Sequence, residues 1–377
     1  MKNSKSVCSQ CGTKKGPEHD KYTRCPDNAT TAQRDTVPAS TPSATHDLLT
    51  DRLSNVEQHV SNIKKEQAVY NQQQTRTLTR DDVIAAIAAT PPGYPVGLRN
   101  ADLSGEDLSN LDLHNADLSG ARLVKTNLSG TDLNHAYLKS ANFTDANLSG
   151  AILEGAVASH ATFRNANLND ATLNHSVLSH TNFTFADAHN ARFNDIVADN
   201  MTASQANFSR SHWIGSIITN STFRKADITS SDFSGATLTN TNFNRATATR
   251  VNFIDSDLEQ SRFTDGDFSH ANFTRSNMRE AKCPDADFTS AGFVGTILSK
   301  THLGGANFTN ADLSYSVVDG AFVGGTDITN ANLEKMSFGV EGNTGTPKGI
   351  PQKHPIITGE LNEQPATKNY PFAVNTL

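Results

Sequence analysis

Long apolar runs are missing from this sequence of 377 residues. No stretch of about eighteen such residues occurs, so no membrane span is expected. The opening MKNSKSVCSQCGTKKG is basic but has no apolar segment after it, and no secretory signal peptide is read there. Cysteine is scarce: there are four, three of them before residue 26, which excludes a disulfide scaffold. Excess positive charge is absent as well. With 32 Lys and Arg against 39 Asp and Glu the net charge is −7, which argues against direct binding of nucleic acid through its phosphates. Apolar residues make up only 36% and aromatics 7%, little for an enzyme of this length. HExxH and GxSxG do not occur, and EGNTGTPKG fails the P-loop pattern because no Gly directly precedes Lys348. A cytoplasmic, non-enzymatic protein is the expectation.

What is present is a period. In ANFTDANLSGAILEGA a large apolar residue returns every fifth position, at Phe143, Leu148 and Leu153, a spacing that fits neither helix nor strand. The register runs without a slip from Leu98 to Phe338, 49 positions of which Leu or Phe fills 36. Two residues earlier the side chain is small, as at Ala141, Ala146 and Ser176, and Asp or Asn often stands between. The pattern describes a wall that turns a corner every five residues.

A second period is nested in the first. At a spacing of twenty, Phe193, Trp213, Phe233, Phe253, Phe273 and Phe293 form an aromatic column. Phe143, Phe163 and Phe183 form another, which resumes after Ala203 at Phe223, Phe243 and Phe263. A third, from Leu98 to Val318, has no aromatic until Phe338. This segregation implies four pentapeptides per coil, stacked so that each coil buries its apolar edge on its neighbours. Asp or Asn before the large residue is suited to bonding nearby backbone through its side chain.

The units ADLSG, ANFTD, ANLSG and ADFTS resemble the A(D/N)LXX unit of the pentapeptide repeat proteins, over 98–338. That resemblance implies an all-β solenoid, a right-handed quadrilateral β-helix of about twelve coils. Two departures stand out. At Ile196 and Met201 the small site is large while Ala198 and Ala203 shrink, so 195–205 is the expected irregular coil. Pro284 is the one proline of the array, beside an inward Cys283, and reads as a tolerated turn proline next to a buried thiol.

The array needs capped ends. Residues 79–97 read as a capping helix, with Thr79 as N-cap, Asp82 three on, and Val83, Ile84 and Ile87 facing the first coil, followed by a Pro-rich linker. Upstream, 46–75 shows a 4-3 apolar spacing at Leu49, Leu53, Val56, Val60, Ile63 and Tyr70. It is either a coiled coil that makes a homodimer or an amphipathic helix lying on the array. Residues 1–45 have a disordered composition, and 339–377 form an irregular, proline-punctuated tail.

Candidate ligand sets are few. Cys8, Cys11, His19 and Cys25 supply three thiolates and an imidazole, the set of a structural tetrahedral zinc, although their spacing matches no common zinc knuckle. His160 and His180 stack at a spacing of twenty, with His175 at the next corner, but no carboxylate clearly joins them. The Asn-Phe-Thr and Asn-Leu-Ser triplets are products of the repeat rather than glycosylation acceptors.

Function is therefore sought in binding. The first reading is a protein-interaction scaffold, a rigid array presenting the N-terminal 1–90 to a protein partner, in the manner of the adaptors and host-delivered bacterial effectors of the family it resembles. The alternative that the resemblance implies is mimicry of duplex DNA and binding to DNA gyrase or another topoisomerase. The array carries 26 acids and 17 bases, but 13 of the acids occupy the position before the inward residue. Setting that position aside leaves a mixed surface, which ranks mimicry second.

Overall fold

The computed structural model of the protein describes residues 77–338, all within one of two units of the chain, Ala68–Leu377. The expectations for 1–45, 46–75 and 339–377 lie outside the described residues.

One residue in five sets the backbone. From Asn100 to Lys335 every fifth residue has a positive φ, between 52° and 78°. Gly, Asn and Asp enter this left-handed region most easily, and β-branched side chains are nearly barred from it. No Val, Ile or Thr occupies any of these corners, whereas Asn, His, Arg, Ser and Gly do. Each corner residue and the one before it make a turn, leaving three residues between turns. The middle one of the three pairs in parallel with the residue twenty on: Asp102 with Arg122, Asn142 with Thr162, and so on to Val317 with Ser337.

The all-β expectation is thereby corrected. Among the described residues there is one helix and no β-strand or sheet, so a right-handed quadrilateral β-helix, or β-solenoid of about twelve coils, is not what this structure contains. Parallel pairing stops at isolated single-residue bridges because the next left-handed corner interrupts the extended backbone before a strand can grow. The coiled-coil description is withdrawn too. Its residues, 46–75, lie outside the described part, and the described helix α1, Arg80–Ala89, has ten residues, short of two heptads.

Backbone hydrogen bonding is nonetheless almost complete, and it explains the repeat. Leu103 N–H donates to the Arg122 carbonyl and Arg122 N–H to Ala101, both at 2.8 Å. Gly105 N–H donates to Val124 at 2.9 Å, and Glu106 N–H closes the turn on Leu103 at 3.2 Å. The remaining donor of each unit, such as Ser104 N–H, has no carbonyl to reach and bonds the Asp102 carboxylate at 3.1 Å. Where the bridging residue is Asn the amide oxygen does the same, as Asn142 does for Thr144 N–H at 3.0 Å. Asn or Asp therefore recurs because a buried or half-buried N–H left unpaired is costly. Pro284 fits the same account: it occupies this position of its unit, where the backbone ladder uses no N–H, and its carbonyl still accepts from Asp265 at 3.2 Å.

The inward residues are buried from Leu98 to Val318, with Val323, Leu333 and Phe338 half-buried in the last turns, and the aromatic ones stack by twenties. Phe143, Phe163 and Phe183 lie 4.8 Å apart, and Phe193 meets Trp213 at 4.0 Å. The column continues through Phe233 to Phe293. A further aromatic column, Phe268, Phe288 and Phe308, fills a third side. Each such ring contributes roughly 1.5–3 kcal/mol by burial. Hydroxyls that replace Ala at the small site bond a carbonyl one turn back, as Thr126 does to Leu103 at 2.7 Å and Ser261 to Leu238 at 2.7 Å, or one in their own turn, as Thr181 does to Leu178 at 2.6 Å.

Residues 195–205 are not irregular: bridges run through Val197 and Thr202 and both large residues are buried. Their volume acts locally instead. Ile196 and Met201 N–H donate to the hydroxyls of Ser216 and Ser221, at 3.3 and 2.9 Å, and Phe208 packs edge-on between Phe183 and Phe223 where Ala203 leaves room. The backbone departs one turn later, at Ile218–Asn220, where the usual turn is lost. Cys283 is buried, and burial pushes its thiol well above the ordinary range.

Helix α1 closes one end of the described part. Thr79 and Asp82 form a reciprocal capping box, with Thr79 N–H to the Asp82 carboxylate at 2.9 Å. Val83 is buried and Ile87 half-buried, whereas Ile84 faces solvent. Arg80 ties the helix to the array through the Asp107 carbonyl at 2.5 Å and the Ser109 carbonyl at 3.3 Å.

Two outcomes follow from this packing. Phe163→Ala should lower stability by about 3–5 kcal/mol, because the rings on either side keep the cavity open; chemical denaturation of the variant against wild type checks it. Ser230→Val should cost about 1–3 kcal/mol through strain at its left-handed corner, with Ser230→Gly near neutral; equal melting of the two variants would contradict the corner account.

Candidate interaction surface

Because residues twenty apart stack, outward side chains form columns, and each column has its own chemistry. The bridging residues from Asp107 to Asp327 are Asp, Asn or Thr without exception, with six aspartates and no base. Within this column amides link successive turns: Asn127 donates to Asp107 at 3.0 Å, Asn147 to Asn127 at 3.1 Å, and Asn167 to Asn147 at 3.2 Å. Asn207 donates to Asp187 at 2.8 Å.

Several arginines of the array pair with acids of other columns, and Arg80 of α1 reaches Asp107 at 3.8 Å. Arg122 pairs with Asp102 at 3.6 Å, Arg99 with Asp117 at 3.3 Å, Arg245 with Asp265 at 3.1 Å and Arg275 with Asp255 at 2.6 Å. Among the described residues no ion pair reaches Asp187, Asp227, Asp267 or Asp287. At two neighbouring turns Asp267 and Asp287 pair directly, beside the corner residues Asp265 and Asp285.

Bonding to backbone does not discharge the Asp107 carboxylate. Asp107 accepts the Ser109 N–H at 3.0 Å, and Ser109, through its side chain first and its backbone second, holds the Asp107 carboxyl below the usual range. The contacts of Asp107 with Ser109, Asn127 and Arg80 all fall on one oxygen, whereas Asp187 accepts on both, from Asn207 at 2.8 Å and from Asn169 at 3.1 Å. Discounting the aspartates at this position, as the sequence reading does, therefore underestimates the acidity of the surface.

The histidines do not assemble a metal centre. The His160 and His180 rings stack at 4.6 Å and 4°, while His175, on another corner, sits 3.9 Å from Asp195. Among the described residues no group of three or more His, Cys, Asp or Glu side chains could hold a metal. Cys8, Cys11, His19 and Cys25 lie outside the described residues. A cavity of about 230 Å³ beyond the end of α1 is lined by Ile87, Pro91, Tyr94, Val96, Asp112 and His114. His114 Nδ1 lies 2.5 Å from the Asp112 carboxylate, which raises the imidazole pKa while the imidazole lowers that of the carboxyl. Asp132 adds a weaker charge to the exposed pair, and Thr90 shares the lining of the cavity. Among the described residues no helix is long and apolar enough to cross a membrane.

Two features of the surface escaped the sequence reading. The bar on β-branched residues at the corners was visible as an absence at every fifth position, had composition been tallied by register. The segregation of outward residues into columns was visible by the same twenty-residue stacking that revealed the aromatics.

Comparison with solved structures finds HetL, a pentapeptide repeat protein involved in heterocyst differentiation regulation from the cyanobacterium Nostoc sp. strain PCC 7120. It is 24% identical over 65% of this chain and 97% of that one, with a TM-score of 0.28. A pentapeptide repeat protein of the Arabidopsis thaliana thylakoid lumen is 33% identical over 29% of this chain and 77% of that one, with a TM-score of 0.27. Full-length QnrB1, a plasmid-mediated fluoroquinolone resistance protein, is 18% identical over 41% of this chain and 89% of that one, with a TM-score of 0.17. At these scores the likenesses carry no argument about function. No curated protein sequence matches the chain. Family models do match: Pentapeptide repeat region over residues 206–283 and 226–303, and Pentapeptide repeats (8 copies) over 98–130, 121–157, 159–195 and 306–338. Between them these matches take in more than half of the sequence, and the chain belongs to the pentapeptide repeat family.

Proposed function

We propose that the array is a docking surface that a DNA-binding protein accepts in place of a duplex, the topoisomerase class that includes DNA gyrase being the partner implied by the family. Family membership gives a non-catalytic, interacting role. The observation that supports the finer reading is the column from Asp107 to Asp327, six carboxylates without a base. With bridging residues about 4.8 Å apart, this is one charge per about 9 Å along the column. A duplex presents one per about 1.7 Å. The mimic is sparse, so its binding should be modest in affinity and only mildly sensitive to salt.

The scaffold reading, in which 1–90 choose the partner, is favoured by the division of the chain near residue 67. It stands second because the acidic column belongs to the array itself.

A gyrase supercoiling assay with the full chain titrated in tests the proposal, with inhibition expected in the micromolar range. Replacing Asp227, Asp267 and Asp287 by Asn keeps the one oxygen that each gives the backbone, so thermal melting should not move. Inhibition should weaken by about tenfold or more, as charge across an interface is lost. Unaltered inhibition by that variant would rule out the column, and no inhibition by wild type would leave the scaffold reading.

A further inference from the structure

One outward column breaks the polar rule. Tyr137, Val157, Val177, Val197 and Ile217 occupy successive bridging positions on one face, each paired with the next. Tyr137 is 52% exposed, Val197 42% and Ile217 47%, and the two valines between are half-buried. In a family whose bridging site serves the backbone through Asp or Asn, five apolar residues in a row forgo that acceptor. A neighbour partly supplies it beside Val197, where Asp199 N–H turns to the Ser179 hydroxyl at 3.4 Å. The stripe is about 19 Å long at 4.8 Å per turn. An exposed apolar patch of this kind marks an interaction site.

We propose that this face binds the same face of a second copy of the chain, antiparallel, with the twofold axis at Val177. The charge pattern selects the partner and its direction. About that axis Tyr137 meets the partner's Ile217, Val157 meets the partner's Val197, and Val177 meets its own copy, so the whole stripe is covered by apolar groups. Farther out, Asp117 falls opposite Thr237 and Gly97 opposite Asp257, so no like charges oppose along the column. At the rim the same operation sets Arg99 against Glu259, opposite charges on both sides of the axis.

A parallel pairing does worse. It sets Asp117 and Asp257 each on its own copy and opposes Asp195 to Asp199, whereas the antiparallel arrangement sets Asp195 against Gly155 and Asp199 against Ser159. The antiparallel overlap runs from the level of Gly97 to that of Asp257, eight steps or about 38 Å. A contact strip on the order of 20 Å wide would then reach the roughly 800 Å² per partner of a standard interface.

Sedimentation velocity of the full chain across the micromolar range tests this. Wild type should show a monomer–dimer equilibrium, and Val177→Asp, which sets two carboxylates face to face on the axis, should weaken it by on the order of tenfold or more. Because Val177 points outward, circular dichroism should report an unchanged melt for the variant. Arg99→Glu should weaken the dimer and the added Glu259→Arg should restore it. A monomeric wild type, a dimer indifferent to Val177→Asp, or a charge reversal without rescue would each overturn the proposal.

Discussion

The constraint on which the rest depends is the left-handed corner. A residue at positive φ once in five bends the chain before extended backbone can lengthen, and four such bends return it beside itself twenty residues later. Everything else follows from that return. Inward residues meet their counterparts one turn away, so Phe stacks on Phe and burial accumulates turn by turn. The tight bend also strands one N–H per unit, and a short polar side chain two residues back must accept it. Core, corner and bridging position are thus three responses to one piece of backbone geometry.

Much of this was legible in the sequence, for a physical reason: repetition averages out local noise. The inward Leu and Phe, the small site before them and the nested period of twenty could be read because each is imposed dozens of times. The fold class was misjudged because a parallel return of the chain suggests strands, whereas pairing here is one residue long. Nothing in the Leu/Phe pattern distinguishes a bridge from a strand; the corners do, through residues that never appear there. The disturbance expected at Ile196 and Met201 was misplaced by one turn, since the core absorbs their volume and passes the strain to the hydroxyls of Ser216 and Ser221 and on to Ile218–Asn220.

The candidate surface was less legible. Charge tallied along the chain mixes four columns that differ in kind, and a net value hides both the base-free column of Asp107 and the apolar face of Val177. A column becomes visible only after the return distance is known. Its meaning then depends on which carboxylates are neutralised by neighbours, which the ion pairs of Arg122, Arg245 and Arg275 decide.

The bridging acceptor has an evolutionary consequence. Asp and Asn satisfy the stranded N–H through the same oxygen, so exchange between them changes the electrostatic potential of the exterior while leaving the interior and the folding free energy almost untouched. A lineage can drift along such exchanges freely, trying one charge pattern after another on an unchanging framework. Partner choice in a chain of this design is decoupled from folding, and selection can act on either without disturbing the other.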